Sequence, residues 1–311
     1  MNVLRRDRLW SALLAAVVST SAWGQAPAPA AGPTGVTQGA AAVPDFSGMW
    51  VHPYFPGFEP PVSGPGPVLS KWRRPDGGSI TRQLIGDYTN PILKPQAAEK
   101  VKMKGDIELA GGTFPTPSNQ CWPSGVPYIF FQVGMQLLQR PDRITILYLR
   151  DHEVRHVRLN QPHPAQVTPS WYGDSVGHYE GDTLVIDTVG VSTDRPFAMA
   201  DMFGTPYSPA LHVIERYRLI DYAAAQAALA RNSRENVKIP EIDFDANYRG
   251  KHLQLQFTVD DSGVFTMPWS ATITYARPFR EWEEHVCAEN PLGYYFTGTR
   301  AAVPTAKNTD F

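Results

Sequence analysis

From residue 128 onward the chain alternates between short apolar stretches and turn signals. Residues 128–138, 143–150 and 153–160 are rich in Ile, Val, Leu, Tyr and Phe and short enough to be strands. Arg150-Asp151-His152-Glu153 reads as the turn between the last two. The clearest hairpin runs from Ser175 to Thr188 around Gly181-Asp182. Gly181 can take the positive φ that the first central position of a type II′ turn requires. Residues 211–219 predict another strand, and 251–259 with 264–276 a last hairpin through Asp260-Asp261-Ser262-Gly263. Two helical patterns interrupt this series. Residues 95–110 open on Pro95, which suits a first-turn position, and stop at Gly111-Gly112, although Gly105 weakens the pattern. Residues 222–232 form a short Ala-rich helix.

Successive strands with short connections and little helix between them predict antiparallel sheet. Closing such a sheet removes its exposed edges. The expected fold is mainly β, a lipocalin-like antiparallel barrel of about eight to ten strands or a strongly curved sandwich, with one or two short helices. Residues 44–300 form this single domain, and 301–311 a flexible tail. Ahead of the strands, residues 44–90 hold Pro53, Pro56, Pro60, Pro61, Gly64-Pro65-Gly66-Pro67 and several aromatics. Proline at that density excludes regular helix and leaves either an ordered wrap or a partly mobile lid.

The N-terminus departs from this pattern. Arg5, Arg6 and Arg8 precede an apolar run from Leu9 to Val18, and small residues follow to Ala26. That is the layout of a secretory signal peptide over residues 1–26, and its apolar run is shorter than the roughly 20 residues a bilayer span needs. Residues 27–43, rich in Ala, Pro, Gly and Thr, read as a disordered linker. Export predicts a periplasmic or secreted protein with no integral membrane segment in the mature chain.

Composition narrows the classes further. A hydrophobic fraction of 42% with only 19% charged residues excludes a disordered chain. Lys and Arg number 28 against 30 Asp and Glu, so nucleic-acid binding has no electrostatic footprint. Cys121 and Cys287 are the two cysteines, and in an exported protein two cysteines most often pair. Free thiols, one of them catalytic, are the alternative. No phosphate loop, nucleotide-binding fingerprint, G-x-S-x-G elbow or H-E-x-x-H helix is present. Neither a metal nor a cofactor is expected, and no feature sets an oligomeric state.

Alternation along the strands selects candidate chemistry. With Gly181-Asp182 at the turn, one hairpin face carries Val176, His178, Glu180, Thr183, Val185, Asp187 and Val189. The other carries Gly177, Tyr179, Leu184, Ile186 and Thr188. His178 and Asp187 become diagonal neighbours, roughly 7 Å apart at the backbone. If their face lines a barrel cavity, the pair is a general acid–base couple. On residues 211–219, Leu211, Val213, Glu215, Tyr217 and Leu219 share a face and His212 lies on the other. Glu215, alone among apolar neighbours, is either the partner of an Arg or a site acid. The loop before the hairpin brings His163, Trp171, Tyr172 and Asp174 to its entrance. The expected catalytic set is thus His178, Asp187, Glu215 and Tyr172. His163, Trp171, Asp174, His212 and Tyr217 are expected to bind substrate. Each of these polar groups has a structural alternative in capping loops and satisfying backbone N–H groups.

Residues 169–188, PSWYGDSVGHYEGDTLVIDT, resemble the signature of a broad family of exported bacterial proteins of unassigned function. Leu211–Arg218, Val286-Cys287-Ala288-Glu289-Asn290 and Cys121–Pro127 are similar to its other motifs, so the resemblance spans roughly residues 44–291. It implies secretion and a β-rich domain and carries no activity. The expected function is cofactor-free acid–base chemistry (lyase, dehydratase or isomerase) on a small apolar or aromatic ligand in the barrel cavity. A non-catalytic carrier is the alternative, as is an envelope interaction protein using residues 52–67.

Overall fold

The computed structural model describes residues 43–52, 54–80, 84–150, 153–194, 198–238, 244–279 and 286–287. The signal peptide (1–26), nearly all of the linker (27–43), Asp151-His152 of the turn and the tail (301–311) lie outside the described residues.

The strands are β1 (Gly48–Val51), β2 (Tyr54–Phe55), β3 (Gly134–Gln139), β4 (Arg143–Tyr148), β5 (Val154–Leu159), β6 (Asp174–Glu180) and β7 (Thr183–Val189). They continue with β8 (His212–Ile220), β9 (Val237–Lys238), β10 (His252–Asp260) and β11 (Trp269–Tyr275). Nine of them form one sheet in the order β1-β3-β4-β5-β6-β7-β8-β10-β11. Its two edges meet at Val51 and Ala276, which exchange backbone bonds of 2.8 and 2.9 Å. That contact closes the sheet into the expected barrel. β2 and β9 pair separately. No helix among the described residues is long and apolar enough to cross a membrane.

Three local expectations change. The run at 128–138 is not one strand: Tyr128–Phe131 is a turn of 3-10 helix and β3 starts at Gly134. A continuous apolar run carries no period, and here all four residues of the turn are buried. Phe130 lies 4.9 Å from Phe257, and Phe131 stacks on Phe58 at 3.9 Å, so the turn packs on aromatics of the barrel. Next, β5 and β6 pair in parallel, Arg158 with Val176 and Leu159 with Gly177. The connection 160–173 is long enough to carry the chain back to the starting end, which a parallel pair needs. Last, β11 starts at Trp269 rather than 264. Pro268 cannot donate to a ladder, and Asp261 ties the turn down by accepting from the Gly263 and Ser208 N–H groups.

The two helices form where expected. α1 (Pro95–Leu109) has Pro95 in its first turn, and α2 (Tyr222–Glu235) is capped by Asp221, which accepts from the Ala224 N–H at 2.8 Å. The proline-rich stretch is an ordered wrap where described. Phe58 and Val68 are buried in the core, and Asn236 at the end of α2 accepts from the Gly57 N–H. Cys121 and Cys287 are disulfide-bonded, with Cα atoms 5.4 Å apart.

The predicted hairpin register holds throughout: Val176 faces Asp187, His178 faces Val185, and Glu180 faces Thr183. Gly181 sits at φ +61°, as the turn demands. The face lining the barrel is the one with Gly177, Leu184, Ile186 and Thr188, all buried. Val213, Glu215 and Tyr217 of β8, and Leu253, Leu255, Phe257 and Val259 of β10, join them. The face with His178 and Asp187 therefore looks outward.

Candidate functional site: an outer-face histidine–carboxylate chain

Within the barrel, Arg155 of β5 reaches Glu215 of β8 across two intervening strands. Its Nη1 and Nη2 donate to the two carboxylate oxygens at 2.9 and 2.6 Å. The guanidinium also donates to Ser175 Oγ and Thr188 Oγ1, and Tyr217 Oη donates to Glu215 at 3.0 Å. Arg155 is 1% and Glu215 0% exposed. Burial works against the Arg155 charge, and Glu215 beside it more than restores it, holding its pKa above the usual value. Burial also raises the Tyr148, Tyr217 and Tyr275 phenols that share this interior. These groups are buried and bonded to one another on the interior face where catalytic groups are expected. Glu215 is the partner of an arginine, and Tyr217 supports that pair from a position no substrate reaches. Arg155 was detectable by the same alternation, as the cation on an otherwise apolar Arg155-Val157-Leu159 face.

The outer face assembles a different set. Asp187 pairs with Ile214, and Val189 with His212, so Asp187 and His212 are diagonal neighbours on β7 and β8. Asp174 pairs with Val189, which makes Asp174 the diagonal neighbour of Asp187 on the other side. His163, from the 160–173 loop, drops between the two carboxylates. Its Nδ1 lies 2.6 Å from Asp174 Oδ1 and its Nε2 lies 3.1 Å from Asp187 Oδ1. His212 Nε2 reaches the same Asp187 oxygen at 2.9 Å. Arg158 of β5 grips Asp174 from the far side through two bonds of 2.6 and 3.0 Å. The result is a continuous chain: Arg158, Asp174, His163, Asp187, His212.

Its electrostatics are ordered. The bidentate bond from Arg158, helped by His163, holds the Asp174 carboxyl below the usual range despite some burial. Burial would raise Asp187, but the bonds from His212 and His163 outweigh it and leave that carboxyl lowered as well. The bond to Asp187 raises the His212 imidazole, against partial burial, and the charge of Asp260 across on β10 adds to it. His212 is 41% exposed, and its Nδ1 has no hydrogen-bond partner among the described residues. A carboxylate that fixes one ring nitrogen leaves the other as a proton acceptor of defined direction.

Of the residues picked from sequence, His163, Asp174, Asp187 and His212 thus converge. His178 does not join them. It is 53% exposed and pairs at 3.1 Å with Glu180, its same-face neighbour two residues on, which Arg216 holds from β8. His178 and Asp187 share a face, but that face is the barrel exterior, so the two do not project into a hollow. Trp171 and Tyr172 are half-buried in the loop, and Tyr172 packs against the core. Arg158 is outside the expected set, and its one signal in the sequence is its alternation with His156 on the outer face of β5. Among the described residues no group of three or more His, Cys, Asp or Glu is arranged to hold a metal ion. An open depression of about 530 Å³ beside α1, lined by Tyr88, Pro95, Gln96, Ala98, Glu99 and Lys102, shares no residue with this chain.

Comparison with protein-family models, curated proteins and solved structures finds no match to this chain.

Proposed function

We propose that this is an exported β-barrel protein performing cofactor-free acid–base chemistry, of the lyase, dehydratase or isomerase type. Its substrate is a small apolar or aromatic molecule, held on the outer face of β6–β8 rather than along the barrel axis. One observation carries this reading: Asp187 holds His212 Nε2 at 2.9 Å, while Nδ1 of this side chain, 41% exposed, has no hydrogen-bond partner among the described residues. In the proposed step, His212 Nδ1 takes a proton from a substrate carbon. It returns that proton to another carbon in an isomerisation, or to a departing oxygen in an elimination. Around it, Asp174, Asp187 and Asp260 outnumber the one guanidinium of Arg158, which disfavours an anionic substrate. Val189 and Ile214, half-buried beside His212, offer it an apolar floor. The buried Arg155–Glu215–Tyr217 cluster speaks against a ligand at that level of the barrel. Export rests on the N-terminal pattern, on the resemblance described above and on the disulfide, which is at home in an oxidising compartment.

The test begins with a thermal-shift screen of small neutral aromatic and terpenoid compounds on the protein. Stabilising compounds are then incubated in D₂O and followed by ¹H NMR for deuterium uptake or conversion. Wild type and His178→Ala are expected to react, while His212→Ala and Asp187→Asn fall by about 10²-fold or more. Full reactivity in His212→Ala, or its loss in His178→Ala, would overturn the assignment.

A further inference from the structure

We propose that His163 is the positioning residue of this outer-face site: clamped between Asp174 and Asp187, it sets how Asp187 holds His212 and couples that grip to its own protonation. The inference rests on the acid–base reading of the same site and adds its regulation.

The argument is one of donors and acceptors. An imidazole nitrogen facing a carboxylate oxygen forms a hydrogen bond only when it carries the hydrogen. His163 faces a carboxylate oxygen with both nitrogens, at 2.6 and 3.1 Å. Only the doubly protonated ring satisfies both contacts. A neutral ring keeps one and turns a lone pair on the other oxygen. The more distant of the two is Asp187 Oδ1, which also receives His212 Nε2. The bond that steers His212 therefore shares its acceptor atom with a bond that depends on a proton elsewhere.

The surroundings make this a defined device. Asp174 cannot turn away, because Arg158 holds both of its oxygens. The loop that delivers His163 is also anchored without it. Gly190, at φ +69°, lies so close beneath Val167 that a Cβ there would stand 2.4 Å from Val167 Cγ1. Ser170 N–H donates to Gly190 O at 3.1 Å, and Ser192 N–H donates to Ser170 O at 2.8 Å. Removing the imidazole thus leaves the loop seated. The charged groups facing the clamp among the described residues are Asp174 on β6, Asp187 on β7, Arg158 on β5 behind Asp174, and His212 on β8 beyond Asp187. Asp260 on β10 adds its charge to His212. His163 is 24% exposed, so protons reach it from solvent.

The test uses the full chain with labelled histidines and follows the ring signals of His212 by NMR from about pH 4 to pH 9, across the ordinary histidine range. In wild type the His212 signals are expected to move in two steps, one from their own titration and one reporting His163. In His163→Gln they move in a single step. Its midpoint lies higher by roughly half to one pH unit, because a neighbouring positive charge is gone. His163→Asn, also non-titrating, serves if the first variant folds poorly. A single step at the same midpoint in wild type and variant would overturn the proposal and reduce His163 to a loop anchor. That outcome would leave His212 standing as the base. Conversely, full reactivity of His212→Ala would remove the acid–base reading without altering this titration.

Discussion

Replacing Glu215 by alanine tests whether the barrel interior is structure or chemistry. The substitution removes the acceptor of two guanidinium bonds, at 2.9 and 2.6 Å, and of the Tyr217 hydroxyl at 3.0 Å. Arg155 is 1% exposed, so its charge stays inside with the Ser175 and Thr188 hydroxyls as its remaining acceptors. Breaking a buried pair by deleting one partner costs about 3–5 kcal/mol. At about 2–4 °C per kcal/mol for a domain of this size, the melting midpoint falls by roughly 6–20 °C. Removing both charges is a different perturbation: Arg155→Met with Glu215→Leu fills the space with apolar groups and is expected to recover most of the loss. Urea denaturation and calorimetry of Arg155→Met, Glu215→Leu and the double variant give the coupling energy directly, with Glu215→Ala measured alongside. A Glu215→Ala variant that loses less than about 1 kcal/mol would refute the reasoning, as would a double variant no better than the single ones.

Two further expectations concern stability. Asp174 and Asp187 are lowered from 3.8, so their contribution is present above that value and is lost as pH falls through their lower folded values. His212 is raised from 6.5, so its contribution is complete below that value and is lost as pH rises through its folded value. Melting midpoints should accordingly peak between about pH 4 and 6.5, and Asp187→Asn should flatten both limbs; identical pH profiles for the two proteins would contradict this. The Cys121–Cys287 bridge closes a separation of 166 residues. Chain entropy puts its loss at up to about 4–5 kcal/mol, so reduction or Cys121→Ser should lower the urea midpoint, and an unmoved midpoint would show that the bridge adds nothing.

Much of the fold was legible because local chemistry pinned it. Gly181-Asp182 fixed the hairpin turn, and the turn fixed the register of every pair from Glu180–Thr183 to Val176–Asp187. Which hairpin face points inward was not legible. Val176 and Val185 lie on one face, Leu184 and Ile186 on the other, and polar residues occur on both, so only closure of the barrel decides. That is why the diagonal logic applied to His178 belongs instead to His212, which stands in the same relation to Asp187 from the neighbouring strand. His163 reaches Asp187 across 24 positions from an irregular loop, a contact no strand period reports. Arg155 alternates with Val157 and Leu159 on β5 and stands out there as clearly as Glu215 does on β8.

The tautomer of His212 tests the central claim most directly. Long-range ¹H–¹⁵N correlation spectra of the histidine rings, recorded above the His212 titration, identify which nitrogen bears the hydrogen. With Asp187 holding Nε2, the neutral ring should be protonated at Nε2 and bare at Nδ1, and Asp187→Asn should release that preference. A ring protonated at Nδ1, or one mixing both tautomers as a free imidazole does, would mean that no base is held outward on this barrel.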